Sequence, residues 1–531
     1  MAQYDYVIVG AGSAGCVLAN RLSENPKHQV LLLEAGPPDK SMWIDIPVGF
    51  SKLLQNRTYN WMFETEPEEG VNGRRIPIPR GRTLGGSSSI NGMLYVRGQP
   101  LDYDTWAQQG NRGWSYESVL PYFKKSENFE PGGDDSRGAG GPLNVTNMYE
   151  RHELCDAFID AAEEKGYPRN TDYNNGDQEG FGYYQVTQKD GRRHSTARAF
   201  LDPIKSRPNL HIETDALASK ITFEGKRATG VDYTVKGAPR NAQAQAEVII
   251  ACGAVQSPQL LELSGIGQPE LLREHGIDVV HALPGVGENY RDHFAPRMNW
   301  RVKQPITLNE QTRGLSIAKE VVKYFTTRRG ILTWTAGIVF GFVKTRPELE
   351  TPDMQFHFAH ASYGTAATRL LEKEPGMTVT IGQCRPESRG SIHIGSGRIG
   401  DAPKIRPNFL SDQIDRDCVV AGMQIARDIV NTSVLEPYVA HEMNPGPSVQ
   451  TYDEWLDFAR GNGQTTYHVI GTCKMGSDPM AVVDDQLRVH GIEGLRVADA
   501  SIMPTVPSGN TNAPVIMVAE KAADLIKSAS Q

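Results

Sequence analysis

Three glycines and one acid near the start of the chain have the types and spacing needed to hold a dinucleotide. The glycines follow an apolar run at 4–9, and the acid ends a second apolar run at 30–33: Gly10, Gly12, Gly15 and Glu34. In such a pattern the first glycine makes the turn, the second lets the backbone approach a pyrophosphate, and the third lets helix and strand pack closely. An acid at this distance can bind a ribose hydroxyl. The pattern therefore predicts a dinucleotide whose pyrophosphate lies at a helix N-terminus.

The elements that must position these residues are a strand, a helix and a second strand. Ser13 and Ala14 complete the glycine-rich turn, and leucines at helical spacing follow it. Because this order of elements opens a Rossmann-like sheet, we expect an α/β fold. A glycine triplet alone would also fit an ordinary tight turn. The flanking elements favour the nucleotide site, but they do not separate NAD from FAD.

A second glycine-rich segment, 81–92, is too rich in glycine and serine for a core element and too long for a simple turn. Its hydroxyls and its amide are suited to hydrogen-bond a ligand that the backbone follows closely. The residues expected at this contact are Gly85, Ser88, Asn91 and Gly92. A plain surface loop is the alternative interpretation.

Composition excludes several classes of protein. The chain has 531 residues, a net charge of -8 and a pI near 6.0, which argues against a nucleic-acid partner because such partners require basic surfaces. The longest apolar runs, such as 248–255, are less than half of the roughly 20 residues that a membrane span needs. Six cysteines are scattered without a C-x-x-C pair, which is typical of a reducing compartment.

The first strand pattern begins at Tyr4, with neither a basic segment nor an apolar leader before it. We therefore expect a cytoplasmic protein, with peripheral membrane contact left open.

No metal site is expected, because no third ligand accompanies His357 and His360. The chain contains 53 glycines, a surplus that we expect at positions where the backbone follows a ligand.

Longer motifs show a resemblance to a known family. They lie at 81–91, 253–267, 284–293 and 467–523, and two of them begin Gly81-Arg82-Thr83-Leu84-Gly85-Gly86 and Gly253-Ala254-Val255-Gln256-Ser257-Pro258. In these motifs the chain resembles the glucose-methanol-choline (GMC) oxidoreductases over nearly its full length. The resemblance implies an FAD cofactor, a Rossmann-like FAD-binding domain, and oxidation of an alcohol by hydride transfer to flavin N5.

The same resemblance implies roles for residues near the C-terminus. His468 matches the family's catalytic base, and Asn510 matches the residue paired with it. Asp499 is expected near the ribityl chain, with Asn512 and Ala513 at the pyrimidine edge of the flavin. Because a helical pattern begins there, its N-terminus is suited to stabilise negative charge on the reduced flavin. A simple turn with a helix cap is the alternative for Asn510 and Asn512.

One position departs from some members of the family. Where certain oxidases carry a histidine that bonds covalently to the flavin, this chain has Ile90. An isoleucine side chain cannot form that bond. The sequence therefore predicts that FAD is bound non-covalently.

Two domains are expected. The FAD-binding domain is discontinuous and consists of 1–150, 205–297 and 462–531. The inserted substrate domain consists of 151–204 and 298–461. Within the insert, alternating apolar residues predict strands, and hence a mostly antiparallel sheet, at 354–358, 377–381 and 391–394. Helical spacing predicts flanking helices at 320–327 and 415–430.

The resemblance implies a particular reaction: a primary alcohol becomes an aldehyde, His468 takes the hydroxyl proton, and the electrons pass to a quinone-type acceptor. The alternatives are an oxygen-using alcohol oxidase, a sugar or choline dehydrogenase, and a non-redox lyase or photodecarboxylase. The pairing of His468 with Asn510 favours alcohol oxidation, because removal of the hydroxyl proton needs a base with a pKa near neutrality. The identity of the alcohol and the oligomeric state are left open.

Overall fold

The computed structural model describes residues 2–364 and 370–529. In these residues the larger sheet has seven strands. Their order is Leu210–Glu213, Val30–Leu33, Ala2–Val9, Ala238–Ile250, Arg227–Val235 and Ala216–Glu224, and Leu495–Val497 also pairs with Ala238–Ile250. The first four strands and Leu495–Val497 pair in parallel, and the last three strands in the order pair antiparallel.

The second sheet contains six strands within the described chain, and its pairings are antiparallel. Their order is Val439–Asn444, Arg297–Val302, Gly376–Gln383, Met354–Ala359, Val339–Val343 and Gly180–Tyr183. Shorter strands pair around the two sheets: Phe63–Glu64 with Pro77–Ile78, Glu127–Phe129 and Gln185–Val186 with Leu143–Asn147, Gln188–Lys189 with Arg192–Arg193, Ile266–Gly267 with His281–Ala282, Phe294–Ala295 with Gln464–Thr465, and Ser391–His393 with Lys404–Arg406.

Thirteen α-helices are present in the described residues. They are α1 Ser13–Leu22, α2 Met42–Asp45, α3 Phe50–Leu53, α4 Pro100–Gln108, α5 Tyr116–Ser126, α6 Glu153–Glu164, α7 Gly253–Leu263, α8 Pro269–Glu274, α9 Leu308–Gln311, α10 Gly314–Thr327, α11 Gln413–Val430, α12 Tyr452–Asn462 and α13 Asn512–Ala529. Among the helices described, none has the length and apolar character to cross a membrane.

The N-terminal helix α1 and the C-terminal helix α13 pack together beside the carboxyl ends of the parallel strands. The strand Val30–Leu33 is buried throughout, as expected for an inner strand of a parallel sheet, and α1 packs against it. Helix α1 packs against α13, and the Ser13 hydroxyl donates a hydrogen bond of 2.7 Å to Asn512 Oδ1. The N-terminal glycine turn is thereby joined to the C-terminal segment that the sequence singled out.

These elements confirm the expected α/β fold, with a Rossmann-like sheet and a mostly antiparallel second sheet flanked by helices. The predicted strands at 354–358 and 377–381 and the predicted helices at 320–327 and 415–430 all lie in observed elements. The segment 391–394 is also a strand, but Ser391–His393 pairs with Lys404–Arg406 outside the six-stranded sheet. A short apolar run specifies a strand without specifying its partner.

The strands of the two sheets come from different parts of the chain. The seven-stranded sheet takes its strands from 2–33, 210–250 and 495–497, and the six-stranded sheet takes them from 180–183 and 297–444. We retain the boundaries given above for an FAD-binding domain and an inserted substrate domain as a proposal.

Candidate active site

A cavity of about 620 Å³ connects the first sheet with one face of the second. At one end it is lined by Val9 and Ala251, which lie where two parallel strands finish. At the other end it is lined by Arg297, Thr380 and His357, which are neighbours across three antiparallel strands. Because open parallel sheets bind ligands at the carboxyl ends of their strands, the first end is suited to a nucleotide.

The glycines of the first turn are required for three different reasons. Gly10 has a φ of +97°, and a Cβ there would lie 2.6 Å from the Ala251 carbonyl oxygen. A Cβ on Gly15 would lie 1.9 Å from the Gly10 carbonyl oxygen, so this glycine packs α1 against the strand. A Cβ on Gly12 would lie 3.9 Å from that same Ala251 oxygen, its nearest neighbour, and would point into free space. The residues of this turn that line the cavity are Gly10, Gly12, Ser13 and Ala14, whereas Gly15 lies beneath them.

The Glu34 carboxylate lies at the cavity wall, where the sequence pattern predicts a ribose-binding acid. It accepts hydrogen bonds from the backbone nitrogens of Ala11 at 3.0 Å and Gly36 at 2.8 Å. Burial raises the pKa of Glu34 to about 7, although both hydrogen bonds favour the charged form. A carboxylate has about four lone-pair sites, so two of them are left for a ligand hydroxyl.

The second glycine-rich segment folds onto the first turn. The Gly85 nitrogen donates to the Ala11 carbonyl oxygen at 2.8 Å, and the Ser88 hydroxyl lies 2.8 Å from the Thr196 hydroxyl. Gly85 and Ser88 therefore support the turn from behind and do not line the cavity. Asn91 and Gly92 do line it.

The C-terminal segment closes the nucleotide end of the cavity. The Asp499 carboxylate accepts hydrogen bonds from the Gly253 nitrogen at 2.8 Å and the Ser257 hydroxyl at 2.6 Å. Burial raises the pKa of Asp499, and these hydrogen bonds oppose that shift. Asp499 and Asn512 line the cavity, whereas Ala513 is buried beside it without lining it.

This end of the cavity fits a dinucleotide. The first residues of α1, α7 and α13 line it together, so three helix N-termini favour negative charge in the same space: Ser13, Gly253 and Asn512. Gly12 leaves free space beside them, and Glu34 provides a hydroxyl-binding carboxylate. The residues suited to hold FAD are therefore those of the first turn, Glu34, Asn91, Gly92, Asp499 and Asn512.

The His468 imidazole lies between the two ends of the cavity and lines it, although the residue is largely buried. Tyr467, just before it, has a left-handed φ of +69°, which is uncommon for a bulky residue and often marks a functional site. The Tyr467 nitrogen donates to the Thr465 hydroxyl at 2.7 Å, and the His468 nitrogen donates to Asp292 Oδ1 at 2.8 Å. These backbone contacts hold the imidazole in place.

The protonation of the two His468 ring nitrogens follows from their partners. His293 Nε2 lies 2.8 Å from the Cys384 carbonyl oxygen, which accepts only, so this nitrogen carries a proton. His293 Nδ1 is then an acceptor in the neutral ring, and it lies 2.8 Å from His468 Nδ1. His468 Nδ1 therefore carries the proton, and the lone pair of this ring lies on Nε2.

His468 Nε2 faces Asn510. The Asn510 amide nitrogen lies 3.0 Å from Nε2, and Gln355 Nε2 donates to Asn510 Oδ1 at 3.4 Å. Gln355 also donates to the Tyr184 hydroxyl at 2.9 Å, which lies 2.8 Å from His357 Nδ1. This chain of hydrogen bonds turns the amide N–H groups of Asn510 toward His468.

The imidazole of His468 is neutral over a wide range of pH. Burial lowers the pKa of His468 well below its ordinary value of 6.5, and therefore below the near-neutral value expected of the base. The positive charges that His293 and His357 acquire on protonation, together with the charge of Arg80, lower that pKa further. Burial also lowers the pKa of His293 to about 4, so the acceptor for the His468 proton stays neutral as well.

Sequence reasoning identified His468 and Asn510 but missed the side chains that orient them. His293 belonged to a recognised motif at 284–293 without an assigned role. Gln355 lies on a predicted strand, and alternation along that strand places it on the same face as His357. The sequence therefore predicted that Gln355 and His357 share one face of the strand, but it did not predict that Gln355 contacts Asn510.

His360 has a different environment from His357. Its ring stacks on His152, with centroids 4.0 Å apart and planes 13° apart, and its Nδ1 lies 3.6 Å from the Cys155 sulfur. These three residues form a cluster of metal-ligand type. A metal ion must lie in the plane of each imidazole that binds it, so nearly parallel stacked rings cannot share one without moving. We assign no metal to this cluster.

The fold and the cavity define a dinucleotide-binding α/β protein with a buried neutral imidazole beside the nucleotide end. Two family models describing GMC oxidoreductases match the chain, one at residues 4–295 and the other at residues 386–519. The chain belongs to the GMC oxidoreductase family, and it is an FAD-dependent oxidoreductase that acts on CH–OH groups.

Several relatives match nearly the whole chain. An oxygen-dependent choline dehydrogenase of Chromohalobacter salexigens is 45% identical, covering 99% of this chain and 95% of the relative. An alcohol dehydrogenase [acceptor] of Pseudomonas putida is 43% identical, covering 98% and 95%. Among solved structures, pyridoxine 4-oxidase from Mesorbium loti has a TM-score of 0.89 at 30% identity, covering 98% of both chains. A formate oxidase of Aspergillus oryzae has a TM-score of 0.92 at 27% identity, covering 99% of this chain and 98% of that one.

Proposed function

We propose that this protein oxidises an uncharged primary alcohol to the aldehyde, with His468 Nε2 as the base. The observation that carries the proposal is the neutral, buried imidazole whose Nε2 lone pair faces the cavity beside the Asn510 amide. A general base must be within hydrogen-bond reach of the proton that it removes. An alcohol oxygen within hydrogen-bond reach of both Nε2 and the amide nitrogen, which are themselves 3.0 Å apart, meets that condition.

The two side chains divide the work on the substrate hydroxyl. The alcohol O–H donates to His468 Nε2, and the Asn510 amide N–H donates to the alcohol oxygen. Nε2 takes the proton as the hydride leaves the carbon, and the His293 Nδ1 lone pair stabilises the resulting imidazolium. FAD, when bound, supplies the hydride acceptor at flavin N5. Loss of one proton and one hydride leaves the aldehyde.

The charges around the cavity favour an uncharged substrate. Among the described residues that line it, the acids are Glu34 and Asp499, and both belong to the nucleotide end. Near His468 the lining includes Arg297, and the charges of Arg297 and Arg80 lower the pKa values of nearby histidines. A quaternary ammonium needs a carboxylate or free aromatic faces to offset its desolvation.

The choline dehydrogenases among the relatives make choline the second candidate. Trp61 is already in contact with other side chains, because the Arg82 guanidinium lies 4.9 Å from its ring centroid and Phe63 stacks on it. Trp334 and Tyr467 also line the cavity and keep choline a candidate. In the described wall near His468, no carboxylate faces the position of the substrate. The name of the Pseudomonas putida relative supports the alcohol proposal instead.

Two further features belong to the proposal. FAD is bound non-covalently, since Ile90 lines the cavity and has no atom able to bond to the flavin. The electrons pass to a quinone-type acceptor; the name of the Pseudomonas putida relative includes an acceptor but does not say which one. Release of the flavin on denaturation tests the first feature. Reoxidation of the reduced enzyme in air, with and without a quinone, tests the second.

The main test is anaerobic mixing of the holoenzyme with a panel of alcohols while the visible absorption of the flavin is followed. Aliphatic and benzylic primary alcohols are expected to bleach it faster than choline does. Faster bleaching by choline would reject the uncharged substrate. Bleaching by none, together with activity on cyanohydrins or under blue light, would favour the lyase or the photodecarboxylase.

A further inference from the structure

Helix α10 carries an apolar face that is largely exposed in the described part of the chain. Its exposed apolar side chains include Leu315 at 82%, Val322 at 63% and Phe325 at 51% exposure. Leu315, Ala318, Val322 and Phe325 recur at helical spacing and so form one stripe along the helix. Soluble proteins seldom leave a contiguous apolar surface of this kind without a partner.

The opposite side of α10 fixes the direction of this stripe. Tyr324 is buried against Ile46 and Leu332, and its hydroxyl donates to the Gly191 carbonyl oxygen at 3.1 Å. The Glu320 carboxylate accepts from the Ile331 nitrogen at 3.0 Å. Rotation of the helix to bury the stripe would break these contacts, so the stripe faces outward in the folded protein.

The charges of α10 and its ends are strongly basic, although the whole chain is acidic. The segment 313–329 contains one acid, Glu320, whose carboxylate is turned inward. Its basic residues are Arg313, Lys319, Lys323, Arg328 and Arg329. Outside the segment, the Glu150 carboxylate lies 3.9 Å from the Lys323 amine. The chain as a whole has a net charge of -8, so this basic surface is local.

The apolar stripe continues into the mouth of the active-site cavity. Ile317 and Val321, on the adjacent side of α10, line that cavity, and so does Trp43 of α2. Trp43 and its neighbour Met42 are themselves exposed. The cavity therefore opens between α2 and α10 at an apolar rim.

We propose that α10 docks on an anionic lipid bilayer, with the cavity mouth at the membrane surface. An amphipathic helix with basic residues beside an apolar face binds in this way, through buried apolar area and attraction to anionic headgroups. A second copy of the chain fits less well, because a two-fold contact places the same basic segment opposite itself. The docking is independent of the alcohol and acceptor proposed above, and it brings the cavity within reach of lipid-dissolved molecules.

Flotation of the purified holoenzyme with vesicles tests the proposal. Vesicles of phosphatidylcholine with phosphatidylglycerol are expected to bind the protein, and pure phosphatidylcholine is expected to bind it weakly. High salt should weaken the binding, because the Debye length shortens to about 3 Å at 1 M. The double variant Val322→Glu with Phe325→Glu should lower the partition coefficient at least about tenfold. Lys319→Glu should lower it roughly fivefold on the anionic vesicles only.

The matched control is Ile414→Glu, which charges an apolar side chain of similar exposure, 50%, on a different helix. Its partition coefficient should equal that of the parent, and all variants should keep their FAD content and melting temperature. Equal flotation of the parent and the double variant would reject the proposal. Absence of vesicle binding would also reject it, and a dimer that the double variant dissociates would then identify a second copy as the occupant.

Discussion

The Nδ1 atoms of His293 and His468 lie 2.8 Å apart, close enough that one of them must carry the proton between them. The Cys384 carbonyl oxygen decides which one, because it accepts from His293 Nε2 and leaves His293 Nδ1 as an acceptor. His468 is thus held in the tautomer whose Nε2 lone pair faces Asn510 and the cavity. The Thr466 hydroxyl, 2.9 Å from His468 Nδ1, is a second acceptor for the same proton.

Replacing His293 by leucine should slow anaerobic reduction of the flavin by alcohol about 10- to 100-fold, the size typical of a lost outer partner of a functional histidine. The reason is that only Thr466 then accepts the His468 Nδ1 proton. Thr466→Val should have a smaller effect. His293→Gln, which keeps an acceptor oxygen, should restore part of the rate. Stopped-flow absorbance measures these rates, and equal rates for His293→Leu and the parent would show that His293 does not orient the base.

His468→Ala should bind FAD with little change while flavin reduction falls at least about 10²-fold, as expected when a general base is lost. The matched control is His441→Ala, an exposed histidine on the outer strand of the second sheet, which should react like the parent. An unchanged rate in His468→Ala would assign the base elsewhere.

The pH dependence of kcat/KM on an uncharged alcohol should reflect the buried imidazole. Burial lowers the pKa of His468 well below 6.5, so the neutral form that accepts the proton persists as the pH falls through 6.5. We expect kcat/KM to stay at its plateau there and to decline only at lower pH. A decline centred at or above 6.5 would contradict the shielding of this group.

Alanine substitutions at two glycines of the first turn should have different effects, one on the stability of the folded protein and the other on FAD affinity. A Cβ on Gly15 meets a backbone oxygen at 1.9 Å, so Gly15→Ala should destabilise the FAD-free protein by about 2 kcal/mol, as overpacking does. Gly12→Ala meets nothing closer than 3.9 Å, so it should keep the same melting temperature without FAD. Its methyl group would occupy the free space that we assign to the pyrophosphate of FAD, so FAD affinity should fall. Thermal unfolding and FAD titration measure the two effects, and unchanged FAD affinity in Gly12→Ala would contradict this placement.

His393 should contribute to the free energy of unfolding by an amount that depends on pH. Burial alone would lower its pKa, but hydrogen bonds to Glu262 at 2.7 Å and Glu288 at 3.1 Å raise that pKa to about 9. Because the folded pKa is above the ordinary value of 6.5, the contribution is complete below pH 6.5 and is lost as the pH rises through about 9. The melting temperatures of the parent and His393→Gln should therefore differ most below pH 6.5 and converge above pH 9. A difference that does not change with pH would mean that His393 is uncharged in the folded protein.

Much of the nucleotide end could be predicted because its constraints are local. A turn that needs φ near +97° at Gly10, and a helix that touches the strand at Gly15, can be inferred from a few consecutive residues. The placement of Gly85, Ser88 and Ala513 could not be inferred, because a residue next to a ligand and a residue that supports the turn from behind have the same small side chains.

The sequence by itself determined the α/β class, the glycine turn with Glu34, and, through motif resemblance, the pairing of His468 with Asn510. Only the tertiary structure decided what orients that pair. His293 is 175 positions from His468, and Gln355 is 155 positions from Asn510, so each contact exists only because separate segments pack together. The charge around the substrate and the outward face of α10 were decided in the same way. They depend on which side chains the packed elements direct into the cavity and which they leave at the surface.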